Sequence, residues 1–125
     1  MLSDNHTFIG IDNCENFIDI CTKKNKLVLL NDITSIKLPD NSADAIICIA
    51  VFHHLYTLEN RINALKEMKR LIKPDKKILL SVWSINQPKK TRVTFDNYGN
   101  QIVKYNNKYL QYYYIFQIDE IKHLF

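Results

Sequence analysis

Apolar and polar positions along this chain fall into short runs and helical stripes that take turns. "TFIGID" (Thr7 to Asp12) is a short strand ending in a carboxylate, and "NCENFIDICTKK" after it has helical spacing, with Cys14, Phe17, Ile18 and Cys21 on one face. Asn13 is placed to cap that helix, and Glu15 favours its positive end. "KLVLLND" predicts a second strand, again closed by an aspartate, Asp32, and "LPDNSAD" supplies turn chemistry. "AIICIAV" (Ala45 to Val51) is apolar on both faces, the pattern of a central strand in a parallel sheet. Thr57 then caps a helix whose Leu58, Ile62, Leu65, Met68 and Ile72 recur at helical spacing, with Lys69, Arg70 and Lys73 at its negative end and Pro74 as its stop. "KKILLSVWS" predicts another buried strand.

Strand and helix thus alternate, which predicts an α/β layer with parallel strands. After Pro88 the pattern changes. "TRVTFDNYGNQIVKY" predicts a hairpin turning at Asn97 to Asn100, "YLQYYYIF" an aromatic strand, and "IDEIKHLF" a terminal amphipathic helix. With 125 residues, no repeat and no long linker, the chain predicts one domain over 1–125 that buries roughly two-thirds of its unfolded surface.

Composition changes this picture little. Apolar residues at 46% and charged residues at 24% exclude a disordered chain. A net charge of +4 permits an anionic partner without specifying one, since Lys69, Arg70, Lys73, Lys76 and Lys77, then Lys89, Lys90 and Arg92, also read as solvated helix ends and loops. Three cysteines without C-x-x-C spacing predict reduced thiols in an intracellular, cytoplasmic protein, with nuclear residence as a further option. No uninterrupted apolar run is long enough to cross a bilayer.

Candidate chemistry gathers at strand ends. In open α/β sheets, ligands bind beyond the carboxyl ends of the strands. Asp12, Asp32 and the corner Ala50–His54 occupy three such ends. One carboxylate there can accept hydrogen bonds from both ribose hydroxyls of a nucleoside, and a second, on the neighbouring strand, can accept from an adenine amino group. Each aspartate read alone is equally an ordinary cap or turn residue. His53 and His54 stand at the mouth of the apolar strand, where one of them is suited to a substrate cleft and the other to packing or capping the next helix. No cysteine or carboxylate nearby has metal-ligand spacing. Tyr112, Tyr113 and Tyr114 offer rings for base stacking or, equally, an aromatic core face.

The stretches "FIGIDNCENFIDIC", "NDITSIKLPDNSADAIICIAVFHHL", "ALKEMKRLIKPDKKILLSVWSINQ" and "YYYIF" followed by "DEIKHL", in that order, resemble the eukaryotic transfer-RNA methyltransferases that esterify 5-carboxymethyluridine at the wobble position. The resemblance implies a Rossmann-like class I methyltransferase fold that uses S-adenosylmethionine. It implies that Asp12, with Asn13 beside it, holds the ribose, that Asp32 and Ile33 meet the adenine, and that Ala50 and Val51 border the methionine part. His53 and His54 would face the substrate as catalytic residues, and Trp83, Gln87 and Arg92 would bind it. A tRNA partner follows, as does a small zinc-binding activator subunit over the edge strand at Leu27–Leu30.

One departure stands out. The class opens with a strand and a glycine-rich turn of the D-x-G-x-G-x-G type, where a Cβ would collide with the cofactor. This chain has two glycines, Gly10 and Gly99, and neither lies in such a turn. The resemblance therefore implies an incomplete fold lacking the first strand, which lies between "FIGID" and "AIICIAV" in the family sheet. Those two strands then close on each other, leave a gap for another chain, or make a weak fold. A small-molecule methyltransferase and a non-catalytic, partner-binding pseudoenzyme are the alternative functions.

Overall fold

The structure, a computed structural model, describes residues 6–87, 94–105 and 108–124. Strand β1 (Gly10–Asp12) leads into helix α1 (Glu15–Lys23) and strand β2 (Val28–Leu30), which pairs parallel to β1. Strand β3 (Ala43–Ile49) runs into a 3-10 turn (Phe52–His54), helix α2 (Leu58–Leu71) and strand β4 (Ile72–Ser81), which pairs parallel to β3. An antiparallel hairpin, β5 (Gly99–Tyr105) and β6 (Tyr109–Ile115), and helix α3 (Ile118–Leu124) complete the described chain.

Two βαβ-like units and a hairpin are therefore present, as the alternating pattern requires, but in three two-stranded sheets. Among the described residues β1 and β3 do not pair with each other. Strand β3 is covered unevenly on its two faces: Ile46 and Cys48 pack into the core with Ile78 and Leu80 of β4. Ile47 and Ile49, on the other face, are 60% and 55% exposed, and their neighbour Leu79 is exposed as well. "AIICIAV" is apolar on both faces because it is built for cover on both; here it is covered on one.

The main core gathers under α2. Phe52, Ala64 and Met68 are fully or almost fully buried beside Cys48 and Phe116, and the rings of Phe52 and Phe116 stack at 5.7 Å. Burying such side chains contributes roughly 1.5–3 kcal/mol each. Arg61 is buried too, its guanidinium 3.9 Å above the Tyr114 ring and its Nη1 donating to Leu55 O at 3.0 Å. A second cluster joins Phe95, Tyr113 and Ile115 with Trp83 and Val103.

Several boundaries differ from the sequence pattern. Asn13 does not cap α1: its Nδ2 reaches Asp32, while Asp12 Oδ1 accepts the Cys14 N–H at 2.8 Å and takes over the local satisfaction of the backbone. Thr57 does cap α2, accepting from Asn60 N at 3.1 Å. That helix stops at Leu71, before Pro74, because Ile72 is already extended and pairs with Ala43. Residues Asn97 to Asn100 do not make the hairpin turn. The chain bends up to Tyr98, and Gly99, at φ +83°, and Asn100 open β5. The strand that pairs with β5 is β6, in register from Gly99 opposite Ile115 to Tyr105 opposite Tyr109. No helix among the described residues is long and apolar enough to cross a membrane.

One side-chain network ties the two parallel units together. Arg70 on α2 makes a two-pronged pair with Glu67, at 2.8 Å through both Nε and Nη2. It then reaches the segment after β2, donating to Ile36 O, Leu38 O and Asp40 Oδ1 at 2.7–2.8 Å. Glu67 accepts the Ile36 N–H at 2.8 Å, and Ile36 is buried. Forked arginine–carboxylate geometry is the strong form of such pairing.

The Arg70 hydrogen bonds hold the Glu67 carboxyl down at about 2, against 4.5 for the free group. The folded state thus releases this proton more readily than the unfolded state, so the carboxylate's stabilisation is complete above about pH 4.5 and fades as pH falls towards about 2. Glu67→Gln is expected to lower unfolding free energy by about 1 kcal/mol at neutral pH, allowing for partial exposure. Urea titrations across that range should show the difference from the natural chain narrowing as pH drops.

Candidate functional site

Parallel pairing of β1 with β2 sets Asp12 opposite Leu30, so the loops that leave both strands start at the same sheet end. Asn31 N donates to Asp12 O at 3.0 Å, which continues the ladder by one step. Asn13 Nδ2 lies 3.3 Å from Asp32 Oδ2, so Asp12, Asn13 and Asp32 form one exposed, acceptor-rich group. Asp32 also accepts the Thr34 hydroxyl at 2.6 Å and the Thr34 N–H at 2.9 Å, and the hydroxyl bond is the leading reason its carboxyl sits below the usual range. It is a fixed carboxylate at neutral pH. Beneath Asp12 a cavity of about 140 Å³ is lined by Gly10, Ile11, Phe17, Ile18, Cys21 and Val28. Gly10 fits there because a Cβ would stand 3.0 Å from Val28 Cγ1.

Ile33, next to Asp32, packs against the main core together with Ile46 of β3 and Leu80 of β4. This contact, with the Arg70 network, brings the β2 end and the β3–β4 unit into one body. At the β3 end Ala50 adopts φ +59°, a left-handed conformation that costs roughly 1–2 kcal/mol outside glycine. Its N–H donates to Ser81 O at 3.2 Å, and the chain then swings into the turn carrying the two histidines. Ala50 lines a second, more open cavity of about 340 Å³ with Ser81, Val82, Trp83, Ser84, Asn86 and Gln87. Within that wall Gln87 Nε2 donates to Ser84 O, and Ser84 Oγ accepts the Asn86 N–H at 3.1 Å.

The histidines are not equivalent. His53 is fully buried, stacked on Tyr113 at 5.5 Å and edge-on to Trp83. Its Nδ1 faces the Trp83 N–H at 3.4 Å, so Nδ1 accepts and Nε2 carries the proton; that Nε2 is buried without a partner among the described residues. Burial, with a lesser contribution from His54, pushes its pKa down to about 4. His54 is half-buried, and its Nδ1 lies 2.6 Å from Tyr112 O. A carbonyl can only accept, so the His54 proton is on Nδ1 and Nε2 is the acceptor of the neutral ring. Two adjacent imidazoles thus hold opposite tautomers.

Of the residues singled out in the sequence, Asp12, Asn13 and Asp32 come together at one sheet end. Ala50, Trp83 and Gln87 come together around the larger cavity, and Ile33 packs, partly buried, against the main core. Val51 is exposed at the corner, His53 lies behind Trp83, and Arg92 lies outside the described residues. Ser81, Ser84 and Asn86 line the cavity without having been singled out; they carry no pattern beyond following a strand. Tyr113, which backs both histidines, is signalled only by its place on the inward-facing alternation of β6.

Comparison with known proteins adds the following. Residues 1–80 match the family model described as a methyltransferase domain. The tRNA (carboxymethyluridine(34)-5-O)-methyltransferase ALKBH8 of Mus musculus is 38% identical over 97 residues, 78% of this chain and 13% of that protein. The tRNA (carboxymethyluridine(34)-5-O)-methyltransferase of Arabidopsis thaliana is 39% identical over 80 residues, 64% of this chain and 20% of its own length. The chain therefore spans a fifth or less of these curated relatives. Among solved structures, the PH0226 protein of Pyrococcus horikoshii OT3 superposes with a TM-score of 0.68 at 13% identity, covering 96% of this chain and 61% of that one. A Burkholderia thailandensis 1,6-didemethyltoxoflavin-N1-methyltransferase, solved with its substrate and S-adenosylhomocysteine, gives 0.64 at 13% identity, over 95% and 48% of the two chains.

His53 provides a test of the corner's construction. Its folded pKa of about 4 lies below the free value of 6.5, so the unfolded chain takes up the proton first and stability falls as pH drops from about 6.5 towards 4. His53→Asn keeps an acceptor for the Trp83 N–H and removes the titration. Urea unfolding followed by emission of Trp83, the single tryptophan, should show a flatter pH dependence in this window for the variant.

Proposed function

Because this chain belongs to the methyltransferase-domain family and has the Rossmann-like class I fold in incomplete form, we propose that it acts in S-adenosylmethionine-dependent methylation of the carboxylate of 5-carboxymethyluridine at the tRNA wobble position. The observation that carries this reading is the gathering of Asp12, Asn13 and Asp32 at one strand end, in a chain whose relatives are named for that modification. As the matched region is a small part of those relatives, the activity is proposed for the protein to which this domain contributes.

The residues present fit the adenosine half of the cofactor. Asp12 keeps one carboxylate oxygen beyond its bond to Cys14 and would accept from the ribose hydroxyls, while Asp32 and the Ile33 amide would meet the adenine. The methionine half would lie against Ala50 and Val51. When bound, the group supplies a methyl on a sulfonium centre, open to in-line attack. This chain's part is then alignment, worth roughly 7–11 kcal/mol in favourable cases. A carboxylate acceptor is already ionised at neutral pH, so no general base is required. His53, neutral at that pH and fully buried, would act by bracing the Trp83 backbone through its Nδ1 rather than by touching the acceptor. Trp83 and Gln87 form the wall for the uracil ring, and Arg92 is assigned to the acceptor's negative charge.

Two further features belong to this proposal. Leu27 and Leu30 at the free edge of β2 are exposed, which supports cover by a small zinc-binding subunit. The outer face of β3–β4, where Ile47, Ile49 and Leu79 are exposed, supports a second reading, a non-catalytic domain that works through a partner.

Calorimetry with S-adenosylmethionine separates the readings. The methyltransferase reading expects measurable binding, weakened at least tenfold by Asp12→Ala or Asp32→Ala, and transfer of labelled methyl to tRNA bearing 5-carboxymethyluridine. Absence of cofactor binding in a folded chain would leave the partner-binding role.

A further inference from the structure

The C-terminal hairpin has a face that the site does not use. Its register sets Ile102 opposite Tyr112 and Lys104 opposite Leu110, so these four side chains share one side of the ribbon, while Val103, Tyr113 and Ile115 turn into the second core. At its inner end the first face is closed by Tyr114 beneath Arg61, with Tyr114 Oη donating to Glu120 at 2.5 Å. Further out Tyr112 is half-covered by Tyr56, ring centroids 4.7 Å apart, and its hydroxyl lies 2.7 Å from Asn100 Oδ1. Beyond that the cover ends. Tyr56 is 64% exposed, Ile102 67% and Leu110 76%. Lys104 and Lys108 rim this shelf, both exposed, and neither forms an ion pair among the described residues.

We propose that this shelf binds unpaired nucleotides of the RNA substrate, a reading that rests on the tRNA assignment above and deepens it. An occupant with flat apolar faces and regularly spaced negative charge fits an aromatic ring, two aliphatic side chains and a rim of unpaired lysines. A protein partner would match the apolar part and leave the cations without a counterpart. Tyr56 stacks on one base, Ile102 and Leu110 floor its neighbour, and Lys104 and Lys108 meet phosphates. The shelf adjoins the histidine corner directly, since Tyr112 carries both its central ring and the carbonyl held by His54. Of the three consecutive tyrosines, Tyr113 and Tyr114 are committed to the interior, so the exposed stacking ring comes from Tyr56 on another segment.

Fluorescence anisotropy of a labelled anticodon stem-loop RNA with the full chain tests this. Tyr56→Ala and Leu110→Ser should each weaken binding about tenfold, and Tyr56→Phe should retain it. Lys104→Gln with Lys108→Gln should lower the slope of log affinity against log salt by about 2. Unchanged Trp83 emission and far-ultraviolet dichroism establish that the variants fold. If the natural chain binds the stem-loop and the Tyr56 and Leu110 variants bind equally well, the shelf is not the RNA site, while the methyltransferase reading stands. Equal affinity for a loopless duplex would also overturn it. If the natural chain binds neither RNA, the tRNA reading fails first and this inference with it.

Discussion

The fold depends on Arg70. In a continuous parallel sheet, backbone hydrogen bonds between neighbouring strands hold the strand ends in place. Here no ladder among the described residues joins β1–β2 to β3–β4, so that task falls to side chains. A guanidinium that engages Glu67, two backbone carbonyls and Asp40 fixes the segment from Ile36 to Asp40 on α2. Ile33 and Ile36 add apolar contact on either side of it. Asp32 keeps its place relative to the Ala50 corner because the residues just after it are clamped. A network of charged groups on a partly exposed surface is a weaker tie than a strand, and Ile47, Ile49 and Leu79 on the outer face of β3–β4 are exposed.

Chemistry at the corner follows from the same economy of parts. Under the proposed function, methylating a carboxylate requires little acid–base work, and a histidine held neutral suits it. His53 is held neutral by burial, its proton assigned to Nε2 by the Trp83 amide, and His54 has the opposite tautomer imposed by the Tyr112 carbonyl. Backbone groups on two different elements thereby set the donor and acceptor character of adjacent rings. The left-handed Ala50 turns the chain sharply enough to place them behind the cavity wall. Charge is concentrated instead at the β1 and β2 ends, where Asp32 is kept ionised by Thr34. Polar acceptors at one end and an aromatic corner at the other support the proposed placement of a nucleoside-bearing cofactor at the first and an anionic acceptor at the second.

Much of this was legible along the chain. Helices α1 and α2 follow from apolar spacing, and the Thr57 cap from its position before Leu58. Parallel pairing follows from the alternation of strand and helix, and the aspartates at both strand ends from the residues themselves. The position of the hairpin is not legible, because a glycine such as Gly99 suits the start of a strand at positive φ as readily as a turn, and only the pairing with β6 decides between them. Asn13 reads locally as a helix cap, its commonest use at that position, yet its side chain pairs with Asp32, nineteen positions away.

What the sequence determined by itself is local: periodicity sets which segments become helix or strand, and residue type sets which strand ends carry acceptors. Only the tertiary structure decided that β1 and β3 do not pair among the described residues, that Arg70 spans the two units, which histidine is buried, and which tyrosine is left outside. Those outcomes depend on contacts between residues far apart in the chain. Covalent order constrains such contacts weakly, whereas burial and hydrogen-bond partnership, which exist only once the chain has packed, assign each side chain its final role.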